Sequence, residues 1–135
     1  DLSVSAGNGL EAVEGGEADR LAFTRSWLLR NRVSADLSAL VRVKGDSMSP
    51  TIPDGALVLV HMAENQIKAE AIYAFIRKGE TFIKRILPIH FGPDGRPTSV
   101  VILSDNKDYL PDVVVAEAMN EIRIVGRVRC VLFNL

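Results

Sequence analysis

Ser47 stands within Gly45-Asp46-Ser47-Met48-Ser49-Pro50-Thr51-Ile52-Pro53-Asp54-Gly55, between two apolar runs, Leu40–Val43 and Ala56–Val60. Lys84 stands in a third run, Thr81-Phe82-Ile83-Lys84-Arg85-Ile86-Leu87, 37 positions later (84 − 47). A serine hydroxyl is a poor nucleophile near neutral pH and needs a base within hydrogen-bond reach. A lysine amine can be that base only when uncharged, and its ordinary pKa is about 10.4. Burial among apolar groups disfavours the ammonium form and lowers that value. On a strand, Lys84 shares a face with Phe82 and Ile86, while Ile83 and Arg85 point the other way. A serine presented at a turn and a lysine held in an apolar strand are the two parts of a Ser-Lys hydrolase.

Each residue taken alone has a plainer reading. Asp-Ser-x-x-Pro can start a turn, with Ser47 as a cap. Lys84 can be a strand lysine whose stem lies on the core while its amine reaches solvent. The placement of Ser47 adds weight: Gly45 frees the backbone, and successive N–H groups of such a turn can face one space as an oxyanion hole requires. The other lysines sit on polar strand phases or beside turns. His61 and His90 stand apart without metal-ligand spacing and read as structural or surface residues. Gly7-Asn8-Gly9-Leu10-Glu11-Ala12 loosely fits a dinucleotide loop, but no strand-loop-helix unit surrounds it. Ser104-Asp105-Asn106-Lys107 fits motifs of penicillin-recognising enzymes, yet the chain is short for that fold and lacks Lys-Thr-Gly; it reads as a polar turn. No cofactor and no metal is expected.

The elements that must position this pair are mostly strands. Beyond Leu40–Lys44, further strands are predicted over 55–61, 71–77, 80–87, 98–103 and 121–133, separated by turns such as Lys78-Gly79 and Gly92–Pro97. Leu21–Thr24 could be a strand, Ser26–Asn31 a short helix capped by Ser26, and Asp36–Leu40 a turn. Trp27 reads as core packing. Many short strands with few helices predict a mostly β, antiparallel domain. Residues 1–19 differ: they hold Asp1, Glu11, Glu14, Glu17 and Asp19, no basic residue, and Gly7, Gly9, Gly15 and Gly16, four of the ten glycines. This is the composition of a linker or arm. Residues 20–135 form the predicted globular domain. A length of 135 residues suits one domain, and a net charge of −1 gives no bulk attraction to nucleic acid. The single cysteine, Cys130, cannot form an internal disulfide, which fits a cytoplasmic location. No apolar run approaches 18 residues, so no membrane span is expected. The start at Asp1 is that of a fragment or processed product.

Gly-Asp-Ser-Met-x-Pro-Thr-Ile-x-Asp-Gly at 45–55, followed by Phe82-Ile83-Lys84-Arg85-Ile86, closely resembles the self-cleaving C-terminal domain of LexA and phage repressors. UmuD mutagenesis proteins and, more distantly, signal peptidases are related. The resemblance runs from about Ser5 to the C-terminus, and Val125-Gly126-Arg127-Val128 resembles the family's closing strand. It implies twisted antiparallel sheets forming a partly open barrel with one or two short helices. It implies Ser47 as nucleophile, Lys84 as general base and the backbone amides of Asp46 and Ser47 as oxyanion hole. The family cuts itself at an Ala-Gly bond, and Ala6-Gly7 is the pair present here. The resemblance also implies a homodimer through the C-terminal strand Glu121–Phe133, expected to be an apolar edge. It implies a RecA–single-stranded DNA filament as co-protease in the SOS response. Operator DNA would be bound by an N-terminal helix-turn-helix domain lying before the linker, outside this chain. Two other readings stay open: a non-cleaving dimerisation or sensing module, and a UmuD-like mutagenesis protein.

Overall fold

The computed structural model describes residues 10–12 and 23–133. Eight strands make one sheet: β1 (Leu10–Ala12), β2 (Ser38–Val43), β3 (Leu57–His61), β4 (Ala71–Arg77), β5 (Glu80–Phe91), β6 (Pro97–Leu103), β7 (Asp112–Val115) and β8 (Ile122–Leu132). Their order is β1-β2-β3-β8-β4-β5-β6-β7, and every neighbouring pair is antiparallel. Among the described residues the sheet is not closed, because β1 and β7 remain edges, although β1 comes back near β5. This is the mostly β, antiparallel domain that the strand pattern predicts, and it is consistent with the partly open barrel that the resemblance implies. Among the described residues, one helix, α1 (Arg25–Asn31), and two 3₁₀ turns, Ala35–Leu37 and Ala116–Glu121, complete it.

Strand alternation divides the core in two. Val41, Val43, Val58, Val60, Ala74 and Ile83 pack with Met48 and Ile52 from the serine turn. Tyr73, Phe75, Ile86, Val100, Ile102 and Val114 form the other cluster, flanked by Phe82. Neighbours on β4 and β5 therefore go to opposite sides, and Lys84 shares the side of Phe82, Ile86 and its cross-strand partner Tyr73. Each fully buried Val, Ile or Phe contributes roughly 1.5–3 kcal/mol relative to its exposed state.

Several boundaries differ from the sequence reading. The cap of α1 is Thr24, not Ser26: its hydroxyl accepts the Trp27 N–H at 3.1 Å, so the helix begins at Arg25. Phe23 and Thr24 are not strand, and Leu21 lies outside the described residues. Asp36–Leu40 is only partly a turn, since β2 already begins at Ser38. β5 runs on to Phe91 because β6 pairs with it as far as Phe91↔Pro97. β7 was not foreseen; only Val114 is buried there, so the strand has little apolar signature. Residues 10–12 of the arm form β1 beside β2.

The expected C-terminal edge requires correction. β8 lies inside the sheet, with β3 on one side and β4 on the other. Its pairing with β4 ends at Tyr73↔Arg127, while β3 accompanies it to Leu132. A free side is thus limited to the strand's last residues, 128–132, among the described partners.

Candidate active site

The serine turn is built by its own motif. Gly45 and Gly55 take φ of 97° and 87°, a region that a side chain disfavours. They let the chain leave β2 and return to β3 at a narrow neck. The neck is closed by Asp54 Oδ1 accepting the Gly45 N–H at 2.7 Å and by the Gly55 N–H donating to the Val43 carbonyl at 2.7 Å. Met48 and Ile52, four residues apart, are joined by an Ile52 N–H to Met48 carbonyl bond of 2.9 Å and are both buried. They anchor the turn in the core and leave Ser47 half-buried between exposed Asp46 and buried Met48.

Lys84 is half-buried on β5. Desolvation pushes its amine below the ordinary lysine range. The walls of the cleft beside it, about 200 Å³, include Phe75, Phe82, Ile102, Ser104 and Tyr109. The amine donates to Ser104 Oγ at 3.0 Å and lies 5.5 Å from the centre of the Tyr109 ring. No hydrogen bond joins it to Ser47 among the described residues.

The loop after β6 contacts both residues. Ser104 holds the Lys84 amine. Two residues on, the Asn106 N–H donates to the Ser47 carbonyl at 3.0 Å, and its side-chain Nδ2 donates to the Asp46 carbonyl at 3.0 Å. Between them, the Asp105 N–H reaches the Met48 sulfur at 3.4 Å, and its carboxylate accepts from the Thr51 hydroxyl and from Arg85. Tyr109 adds a second bridge: its hydroxyl donates to the Asp46 carboxylate at 2.7 Å while its ring faces Lys84.

This loop has a stereochemical consequence. In a trans peptide the C=O and the next N–H point in opposite directions. Asn106 grips the carbonyls of Asp46 and Ser47, so the N–H groups of Ser47 and Met48 face away from the loop. The N–H groups of Asp46, Ser47 and Met48 donate to no partner among the described residues. The Ser47 and Met48 donors, both facing away from the loop, suit a developing oxyanion. The sequence reading places that role on Asp46 and Ser47; the peptide orientation adds Met48. Ala6 and Gly7 lie outside the described residues.

Ser104, Asn106 and Tyr109 were missed as site residues. The available signal is Ser104-Asp105-Asn106, a polar run directly after the predicted strand 98–103. His61 is a buried structural residue: its Nε2 accepts the Ser34 N–H at 3.0 Å and its Nδ1 lies 2.9 Å from Glu64. Trp27 lies against Phe23, with ring centroids 4.9 Å apart and the rings tilted by 36°, and is only half-buried.

The arrangement defines a small, single-sheet β domain in which a turn serine and a desolvated strand lysine share one loop. The Peptidase S24-like family model matches residues 2–129, and the chain belongs to that family of serine peptidases. This agrees with the LexA and phage-repressor resemblance. The chain is 32% identical over 128 residues to the repressor protein CI of Enterobacteria phage phi80, covering 93% of this chain and 50% of that protein. It is 31% identical over 98 residues to an uncharacterized HTH-type transcriptional regulator of Haemophilus influenzae (strain ATCC 51907 / DSM 11121 / KW20 / Rd), covering 71% of this chain and 38% of that protein. The chain thus spans half or less of the curated relatives it matches. No helix among the described residues is long and apolar enough to cross a membrane.

Proposed function

We propose that this chain is the self-cleaving domain of a LexA-like or prophage transcriptional repressor, and that it cuts its own Ala6-Gly7 bond with Ser47 and Lys84. The observation that carries this reading is the shared loop. Ser104 on the lysine and Asn106 on the serine turn are two residues apart, so one loop touches both the lysine amine and the backbone of the serine.

Uncharged Lys84 takes the Ser47 proton, and Oγ attacks the Ala6 carbonyl carbon. The oxyanion is held by the free N–H groups of the turn. The C–N bond breaks as the Lys84 ammonium returns its proton to the departing Gly7 nitrogen. Ala6 is left as an ester on Ser47. Water, deprotonated by Lys84, then releases the acid and restores the hydroxyl. The substrate is tethered, so orientation replaces intermolecular binding.

The pairing of β1 supports an arm that approaches the serine turn. In an antiparallel ladder the numbers of each pair have a constant total, here 53, as in Leu10↔Val43, Glu11↔Arg42 and Ala12↔Val41. Followed toward its N-terminal end, β1 runs toward Val43, the end of β2 from which the chain enters the serine turn. The nearness of β1 to β5 also brings the arm's strand beside the lysine's strand.

In the full protein, cleavage separates an N-terminal helix-turn-helix domain, which binds operator DNA, from this domain. This domain holds the homodimer and meets the RecA filament in the SOS response, in the cytoplasm. The relatives' names, a phage repressor and an HTH-type regulator, favour this over a UmuD-like accessory role. Incubating the chain and sequencing the new N-terminus tests the reading: Gly7 is expected, whereas a first residue elsewhere overturns the assigned bond.

A further inference from the structure

We propose that Ser104 is the positioning residue for the Lys84 amine, an inference that rests on the cleavage reading above. An uncharged amine has two N–H donors and one lone pair. As a base it must aim that lone pair at the Ser47 hydroxyl, yet a lysine stem has four rotatable bonds and the amine turns freely at its end. A single fixed acceptor removes most of that freedom. Ser104 Oγ, 3.0 Å away, is that acceptor, and it is half-buried. With one N–H held by Ser104, the lone pair and remaining N–H are directed elsewhere, and the loop carrying Ser104 is the one that fixes the serine turn.

The same oxygen acts after proton transfer. A hydroxyl oxygen accepts a stronger hydrogen bond from an ammonium than from an amine. Ser104 therefore stabilises the protonated lysine that forms while Ser47 is acylated. The Tyr109 ring, 5.5 Å away, adds to this. The other charged groups around the amine are already engaged. Arg77 of β4 pairs with Asp112 of β7 across the same cleft. Asp105 is taken by Arg85 and Thr51, and Asp46 by Tyr109. Ser104 is the uncharged group in direct hydrogen-bond contact with the amine.

The test uses the full 135-residue chain with Ser104→Ala and Ser104→Thr, followed by mass across pH, and amine titration by NMR in the uncut Ser47→Ala background. Ser104→Ala is expected to lower the limiting cleavage rate about ten- to hundredfold, the cost of a misplaced reacting group. It also moves both the rate midpoint and the amine midpoint to lower pH, because the ammonium loses its acceptor. Ser104→Thr, which keeps a hydroxyl, restores both. A rate loss that merely follows the unfolded fraction, with the midpoint unmoved, overturns the proposal. So does a covalent serine-directed label appearing on Ser104 rather than Ser47. The titration distinguishes the two levels: a moved amine midpoint in a chain that never cuts overturns the cleavage reading alone, whereas an unmoved midpoint overturns the role of Ser104.

Discussion

Arg85 clasps Asp105 with two hydrogen bonds, 2.9 Å from Nε to Oδ1 and 2.8 Å from Nη2 to Oδ2. Arg85 follows Lys84 on β5, and Asp105 follows Ser104, so this pair sets the alignment of the lysine with its loop from the opposite strand face. The Asp105 side chain is only 12% exposed, so solvent screens the pair incompletely. Asp105→Asn is expected to lower stability by about 1–2 kcal/mol, read from urea unfolding. The Arg85 hydrogen bonds, helped by Thr51, hold the Asp105 carboxyl below the ordinary carboxylate range. Its folded value lies below its unfolded one, so its stabilisation is complete above about pH 4 and fades as pH falls through the folded value. The variant should lose that part of the acid sensitivity.

Asn106 grips two successive carbonyls of the serine turn. Asn106→Ala removes only the side-chain bond to Asp46, since the backbone N–H stays. We expect cleavage about tenfold slower, because one donor of the oxyanion site is misaimed, with a stability cost of about 1 kcal/mol. A rate equal to that of the parent chain would remove Asn106 from the site.

Gly126 is where β8 presses on β3. A Cβ there would lie 2.5 Å from the His61 carbonyl oxygen and 2.8 Å from its carbon. These are backbone atoms of a buried strand and cannot swing aside. Gly126→Ala is expected to destabilise the fold by about 2–3 kcal/mol in urea unfolding.

Lys84 is held at a cost to stability. Burial keeps its folded pKa below the unfolded value, so the unfolded state binds more protons between the two. Stability from this group should therefore rise with pH across that window, up to about pH 10.4. Lys84→Met should be about 0.5–1 kcal/mol more stable at pH 7 and lack this rise, while being unable to cut. Thermal unfolding at pH 7 and pH 10 checks both signs.

The turn position of Ser47 and the strand position of Lys84 were legible in the sequence because they depend on local context: glycines around a turn, and apolar neighbours on a strand. The sheet was legible for the same reason, since β3, β4 and β6 alternate or fill with apolar residues. What escaped depends on pairing between distant segments. The interior position of β8 follows from which strands flank it, which no local pattern encodes. β7 carries only one buried side chain, so its strand state comes from its neighbour β6. Ser104 and Asn106 act through backbone carbonyls and one amine brought from 20 to 60 positions away, and polar loop residues look alike until those partners are placed.

The central claim is that the amine of Lys84 takes the Ser47 proton. It is tested most directly by the rate of Ala6-Gly7 cleavage across pH 6 to 11, compared with the Lys84 amine titration measured in the Ser47→Ala chain. The account predicts a rate that climbs with pH along the same curve as amine deprotonation, with its midpoint below that of a free lysine, and no cleavage in Lys84→Ala at any pH. Cleavage that persists in Lys84→Ala, or a rate indifferent to the state of that amine, would contradict it.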